Sequence, residues 1–128
     1  MPTVDEICND KMQRSIDAFE EAMLLYNANR FNGSANRLYY SAFYAVSALV
    51  FKTSGRFSKT HSGLKSIFSE LFIKSKKMDI QFAIIYANLF EMRQEADYSD
   101  FLVLDHKDLE PLIEQTQQLI AEIKNLIE

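Results

Sequence analysis

Several things are scarce in this chain of 128 residues, and each scarcity excludes something. There is no tryptophan, one cysteine (Cys8), three glycines and two prolines. A single cysteine cannot close an internal disulfide, and the first ten residues carry acids where a secretory leader would be apolar. A reducing, cytoplasmic setting is therefore expected. Hydrophobic runs are broken by Tyr, Asn, Ser or charge well short of the ~20 residues a spanning helix needs, so no membrane segment is expected. Glycines scattered singly make neither a phosphate-binding loop nor a dinucleotide fingerprint. No serine lies in a strand-to-helix elbow of the kind a hydrolase triad uses. Only two histidines are present, His61 and His106, with no His-x3-His, Cys-x2-Cys or Glu-x-x-His spacing, so no metal centre and no cofactor are expected. Basic excess is missing as well: 14 Lys and Arg stand against 18 Asp and Glu, a net charge of −4. General affinity for nucleic acid comes from counterions released by a basic surface. The one small cluster, Lys74, Lys76 and Lys77, reads as a solvated turn.

What is present is apolar residue content at helical spacing. With 48% hydrophobic and 25% charged residues the chain is globular, and its length suits one domain over residues 1–128. The first helix is expected over residues 4–29, with an inner stripe of Val4, Ile7, Lys11 or Met12, Ile16, Phe19, Met23 and Tyr26. A second, over 33–53, is crowded with Tyr39, Tyr40, Phe43, Tyr44 and Phe51, and its apolar residues fall on nearly every face. Such a helix is central in a bundle or shared with a partner chain. Gly33, Gly55 and Gly63 mark breaks. Ser58 or Thr60 can cap a third helix that stops near Lys74, and Asp79 a fourth that ends at Tyr98. After an irregular stretch, 99–105, the last helix begins near Asp108, with Pro111 tolerated in its first turn. Short links between long helices predict an all-α, up-and-down antiparallel four- to five-helix bundle. Apolar surface to spare on the second and fourth helices predicts self-association.

Three segments carry chemistry, and each has a plainer reading. In Asn36-Arg37-Leu38-Tyr39-Tyr40-Ser41-Ala42-Phe43, Asn36 and Tyr40 share a helical face, as do Arg37 and Ser41. The plain reading is a buried aromatic helix with a polar edge. In Lys59-Thr60-His61, a histidine at the positive end of a helix dipole has its neutral form favoured and is a hydrogen-bond partner or a base. The plain reading is a surface or capping histidine. In Met92-Arg93-Gln94-Glu95-Ala96-Asp97-Tyr98, Arg93 and Asp97 stand one turn apart. They are either an ordinary intrahelical ion pair or an arginine held by Asp97 and aimed at an anion.

In this order the three segments resemble the HEPN family of helical domains, its small stand-alone bacterial and archaeal branch most of all. The resemblance runs through Asn36 to Phe43, Lys59 to His61, and Arg93 to Tyr98. It implies a homodimer with a cleft between protomers, and often a minimal nucleotidyltransferase as partner in a toxin–antitoxin pair. It implies a ligand-binding set of Asn36, Arg37, Tyr40, His61, Arg93, Asp97 and Tyr98. Where such a partner transfers AMP to a tyrosine, Tyr98 is the expected acceptor. Other members are metal-independent RNases with an Arg-x(4–6)-His motif, in which arginine steadies the phosphate and histidine moves a proton. This chain departs from that motif: Asp97-Tyr98 stands where the histidine belongs. Aspartate repels phosphate, and a tyrosine of pKa ~10 is a poor base. The literal Arg56-x4-His61 straddles a connector and reads as a coincidence of spacing. Three functions stay open: a binding module for a nucleotide or partner protein, an RNase that pairs Arg93 with His61 through space, and a scaffold bundle without a ligand.

Overall fold

The computed structural model describes residues 1–100 and 102–128. It contains five α-helices: α1 Val4–Asn27, α2 Phe31–Ser54, α3 His61–Phe68, α4 Ile80–Tyr98 and α5 His106–Ile127. There is no strand among the described residues, and the helices pack as a bundle. No described helix is long and apolar enough to cross a membrane.

The first hairpin turns where the sequence says it should. Asn29 takes a left-handed conformation (φ 61°), and the Arg30 N–H reaches back to the Leu25 carbonyl at 2.8 Å. Asparagine tolerates that conformation better than other side chains. Gly33 is not a break, however. It is the third residue of α2, and a Cβ there would stand 3.3 Å from Leu25 Cδ1. The glycine lets the two helices close on each other.

The inner face of α1 also differs from the expected stripe. Its fully buried residues are the small ones, Cys8, Ser15, Ala18 and Ala22. Val4 is exposed, while Ile7, Met12, Ile16, Phe19, Met23 and Tyr26 are half-buried along the sides. Small side chains let two helix backbones approach, and the large ones then wrap the flanks. The approach is locked by a reciprocal serine pair: Ser15 Oγ donates to the Ser41 carbonyl (2.7 Å) and Ser41 Oγ to the Ser15 carbonyl (2.8 Å).

α2 is central, as its all-round hydrophobicity predicts. It packs against α1, α3, α4 and α5, and twelve of its residues are buried. Gly55 ends it in the left-handed conformation (φ 70°). Thr60, not Ser58, caps α3 by accepting from the Gly63 N–H at 3.0 Å. Gly63 therefore lies inside α3, and a Cβ there would collide with both Ser58 Oγ and Thr60 Oγ1. α3 runs on into a π-helical turn, Ser69–Ile73, and then the exposed lysine turn. Asp79 caps α4 through the Gln81 N–H. α5 starts earlier than expected. Asp105 and Asp108 form a reciprocal capping box, so Pro111 is the sixth helical residue rather than part of the first turn. The proline removes an N–H that would otherwise bond the Lys107 carbonyl.

Candidate functional site

The second, third and fourth helices bring the motif residues together at one place. Their meeting point is Tyr39-Tyr40 on α2. Arg93, two turns from Tyr86 on α4, donates from Nη2 to Tyr40 Oη at 3.2 Å. Its Nε lies 2.9 Å from Asp97 Oδ2, and its side chain is only 11% exposed. That Nε–H finds no aligned acceptor, so the contact is an ion pair rather than a directed hydrogen bond. Asp97 also accepts from Asn36 Nδ2 at 2.9 Å, which ties the end of α4 to α2. Three tyrosine rings surround the guanidinium. Its carbon is 5.5 Å from the Tyr40 and Tyr98 centroids and 5.9 Å from that of Tyr39, within cation–π range. Tyr98 is 68% exposed, so its hydroxyl is open to solvent while its ring touches the arginine.

His61, the first residue of α3, enters the same cluster from the other side of the tyrosine pair. Its Nδ1 is 2.7 Å from Tyr39 Oη. The imidazole is ringed by Tyr39, Tyr40, Phe43 and Phe90, with centroids 5.2 to 6.0 Å away. Burial, and then the charge of Arg93, hold its pKa below the usual 6.5. The ring is thus neutral at physiological pH. Beside it lies a small pocket of ≈ 160 Å³ lined by Tyr39, His61, Ser62, Lys65, Tyr86 and Phe90.

Arg37 stands at the edge of this group. It contacts the Tyr40 ring (5.5 Å) but donates to Glu21 of α1 at 3.3 Å. Arg56, the arginine of the literal Arg-x4-His spacing, pairs with Glu70 on the exposed surface at 3.1 Å. His106 belongs to a different aromatic group, with Tyr26 and Phe31. No cluster of three or more metal-ligating side chains occurs among the described residues.

Two members of the cluster were not among the expected site residues, although Tyr39 stood in the aromatic motif. Tyr39 and Tyr86 are buried, and their hydroxyls lie 3.4 Å apart. Burial pushes Tyr39 up to about 12 and Tyr86 well above the usual value, so both remain protonated. A signal was there: a tyrosine amid apolar neighbours brings a hydroxyl that needs a partner inside the protein.

A five-helix bundle with an arginine, a neutral histidine and a ring of tyrosines on three of its helices defines an all-α domain with an aromatic-walled cationic patch. The comparison with known families makes this specific: residues 9–126 match the HEPN domain, and the chain belongs to the HEPN family. It is similar to the UPF0332 protein of Thermotoga maritima, 31% identical over 116 residues, spanning 91% of this chain and 87% of that one. It is also similar to the protein of Methanocaldococcus jannaschii named "Putative toxin MJ0142", 29% identical over 118 residues, 92% of this chain and 78% of that one.

Proposed function

We propose that this chain is the toxin-type member of a toxin–antitoxin pair, a homodimeric HEPN module whose Arg93 patch binds an anionic group of a nucleotide or of a partner protein. The partner in this reading is a minimal nucleotidyltransferase. The observation that supports it most is the state of Arg93. Its guanidinium is held in one place by Asp97, Tyr40 and three aromatic rings before any ligand arrives. A preorganised cation loses little freedom on binding, and arginine suits the planar, two-point recognition of phosphate. Asp97 restrains the same charge, which favours binding over cleavage, because a carboxylate beside the arginine opposes charge building up on a phosphorane. Exposed Tyr98 is then the acceptor in an AMP transfer. Its Oη would attack the α-phosphorus of ATP held by the transferase, pyrophosphate would leave, and the phenolic proton would pass to a base.

Two measurements test this. In titrations with AMP followed by NMR, wild type should show saturable shifts around Arg93 that vanish in Arg93→Ala; their absence from a folded wild type would sink the anion site. After co-expression with the cognate transferase, mass spectrometry should find the added nucleotide on Tyr98 and none in Tyr98→Phe. An unmodified Tyr98 would remove the acceptor role.

One observation favours the metal-independent RNase as a second reading. His61 and Arg93 pack against the same tyrosine pair, and Arg93 helps keep His61 neutral, which is the neighbourhood an Arg–His pair acting through space would need. Metal-free RNA cleavage abolished by both Arg93→Ala and His61→Ala would establish it.

A further inference from the structure

The hydroxyls of Tyr86 and Tyr39 and the His61 imidazole form one short chain: Tyr86 Oη to Tyr39 Oη at 3.4 Å, and Tyr39 Oη to His61 Nδ1 at 2.7 Å. Each link can be drawn in two directions, and the direction decides what His61 offers to a ligand. A neutral imidazole carries its proton on one nitrogen and accepts on the other. If Nδ1–H donates to Tyr39, Nε2 is a free lone pair and hence a base. If Tyr39 donates to Nδ1, Nε2 carries the hydrogen and is a donor.

The two buried hydroxyls choose between them, and that of Tyr39, fully buried, is sufficient on its own. Tyr86 is 2% exposed, and among the described residues its hydroxyl has one partner, Tyr39 Oη. Suppose His61 donated to Tyr39; then either Tyr39 donates to Tyr86 and the Tyr86 hydrogen lacks an acceptor inside the protein, or Tyr86 donates to Tyr39 and the Tyr39 hydrogen lacks one. In the opposite sense Tyr86 donates to Tyr39, Tyr39 donates to Nδ1, and the one hydrogen left over is on Nε2 of His61, a residue only partly buried. Buried donors are rarely left unpaired, because an unmade bond there forfeits the hydration it had in water. Both phenols are protonated near neutrality, so both have a hydrogen to give.

We propose that Tyr39, backed by Tyr86, is a positioning residue that locks His61 as the Nε2–H tautomer, so that His61 meets its ligand as a neutral hydrogen-bond donor across the tyrosine pair from Arg93. The inference rests on the Arg93 patch being the working surface and refines what that surface recognises. A cation and a neutral N–H on the same tyrosine pair suit an oxygen-rich acceptor with no hydrogen to give, as a phosphodiester or phosphate is near pH 7 on its unprotonated oxygens. The same tautomer works against His61 as a resting general base, because its one basic nitrogen is occupied by Tyr39.

The test is direct. Histidine labelled with nitrogen-15 in the full-length protein reports, by two-bond proton–nitrogen correlation, which ring nitrogen carries the hydrogen. Spectra belong above the titration range of His61. Wild type should show a single Nε2–H tautomer, with Nδ1 displaced in the direction of an accepted hydrogen bond. Tyr39→Phe should lose that displacement and show both tautomers in exchange, whereas Tyr86→Phe keeps the Tyr39 donor and should retain the wild-type pattern. A wild-type Nδ1–H form, a wild-type mixture, or an Nδ1 signal indifferent to Tyr39→Phe would overturn the proposal. If Tyr39→Phe does not fold, the wild-type and Tyr86→Phe spectra decide by the same criteria. The tautomer is read without ligand, so a failure of AMP binding leaves this result standing, and a wrong tautomer leaves AMP binding untouched.

Discussion

Asp97 does two jobs at once: it neutralises a nearly buried arginine and fastens α4 to α2 through Asn36. Removing it strands the Arg93 charge, so Asp97→Ala should cost about 2 kcal/mol, below the full range for a deeply buried pair because Asp97 is partly hydrated. Urea melts would read this as a lower midpoint at unchanged slope. In the proposed reading the same substitution takes away a carboxylate that would compete with a bound phosphate. AMP binding, where it exists, should therefore tighten while stability falls, and a variant that loses both in parallel would argue for a purely structural arginine. His61 makes a prediction in pH. Its folded pKa lies below the 6.5 of the unfolded chain, mainly through burial. Below that value the unfolded chain takes up a proton that the folded chain resists, so stability is full above it and falls as pH drops through the mid-sixes. His61→Gln should flatten that part of the profile by less than one proton's worth of slope. An identical slope in the variant would mean that His61 titrates alike in both states.

At the level of the element, α3 carries His61 at its first position and buries Leu64 and Phe68 in the core, and its start is tight. Thr60 caps it, Ser58 supports Thr60, and Gly63 leaves them room. Gly63→Ala should be destabilising by about 1 kcal/mol, the usual cost of a lost cap, although alanine is the better helix former. Chemical shifts of the Tyr39 and His61 rings should move with it. A neutral or stabilising result would show that the connector shifts freely. α5 offers the opposite case. Pro111 sits past the first turn, where it deletes a backbone bond, while proline also stiffens the unfolded chain. The first effect is larger, so Pro111→Ala should stabilise by about 1 to 2 kcal/mol in thermal or urea unfolding. A loss of stability instead would point to a packing role for the ring against α4.

For the whole molecule, one continuous core runs from Ala22 on α1 through Tyr39, Phe68 and Leu89 to Ile123 on α5. A single core predicts a single unfolding transition, with an enthalpy near ~90 kcal/mol at ~0.7 kcal/mol per residue. Two resolved transitions would divide the chain into two domains. If the homodimer forms, its melting temperature should rise with protein concentration, and a midpoint that ignores concentration would count against it. The sequence alone determined the helices, the cap at Asp79 and the family motifs, and narrowed the α3 cap to Ser58 or Thr60 and α2 to a central or shared helix, because all of these depend on local spacing and on side chains meeting their own backbone. It misplaced what depends on the distance between helices. Gly33 and Gly63 looked like breaks, yet they are close contacts; the large residues of α1 looked like its inner face, yet Ser15, Ala18 and Ala22 occupy it. The site divides in the same way. Arg93 and Asp97, one turn apart, were legible as a pair, whereas Tyr39, Tyr86 and His61 come from three helices and nothing in their spacing links them. Only the packing of α3 and α4 against α2 decided that link, since a hydrogen-bond chain across helices is set by where backbones come to rest and not by order along the chain.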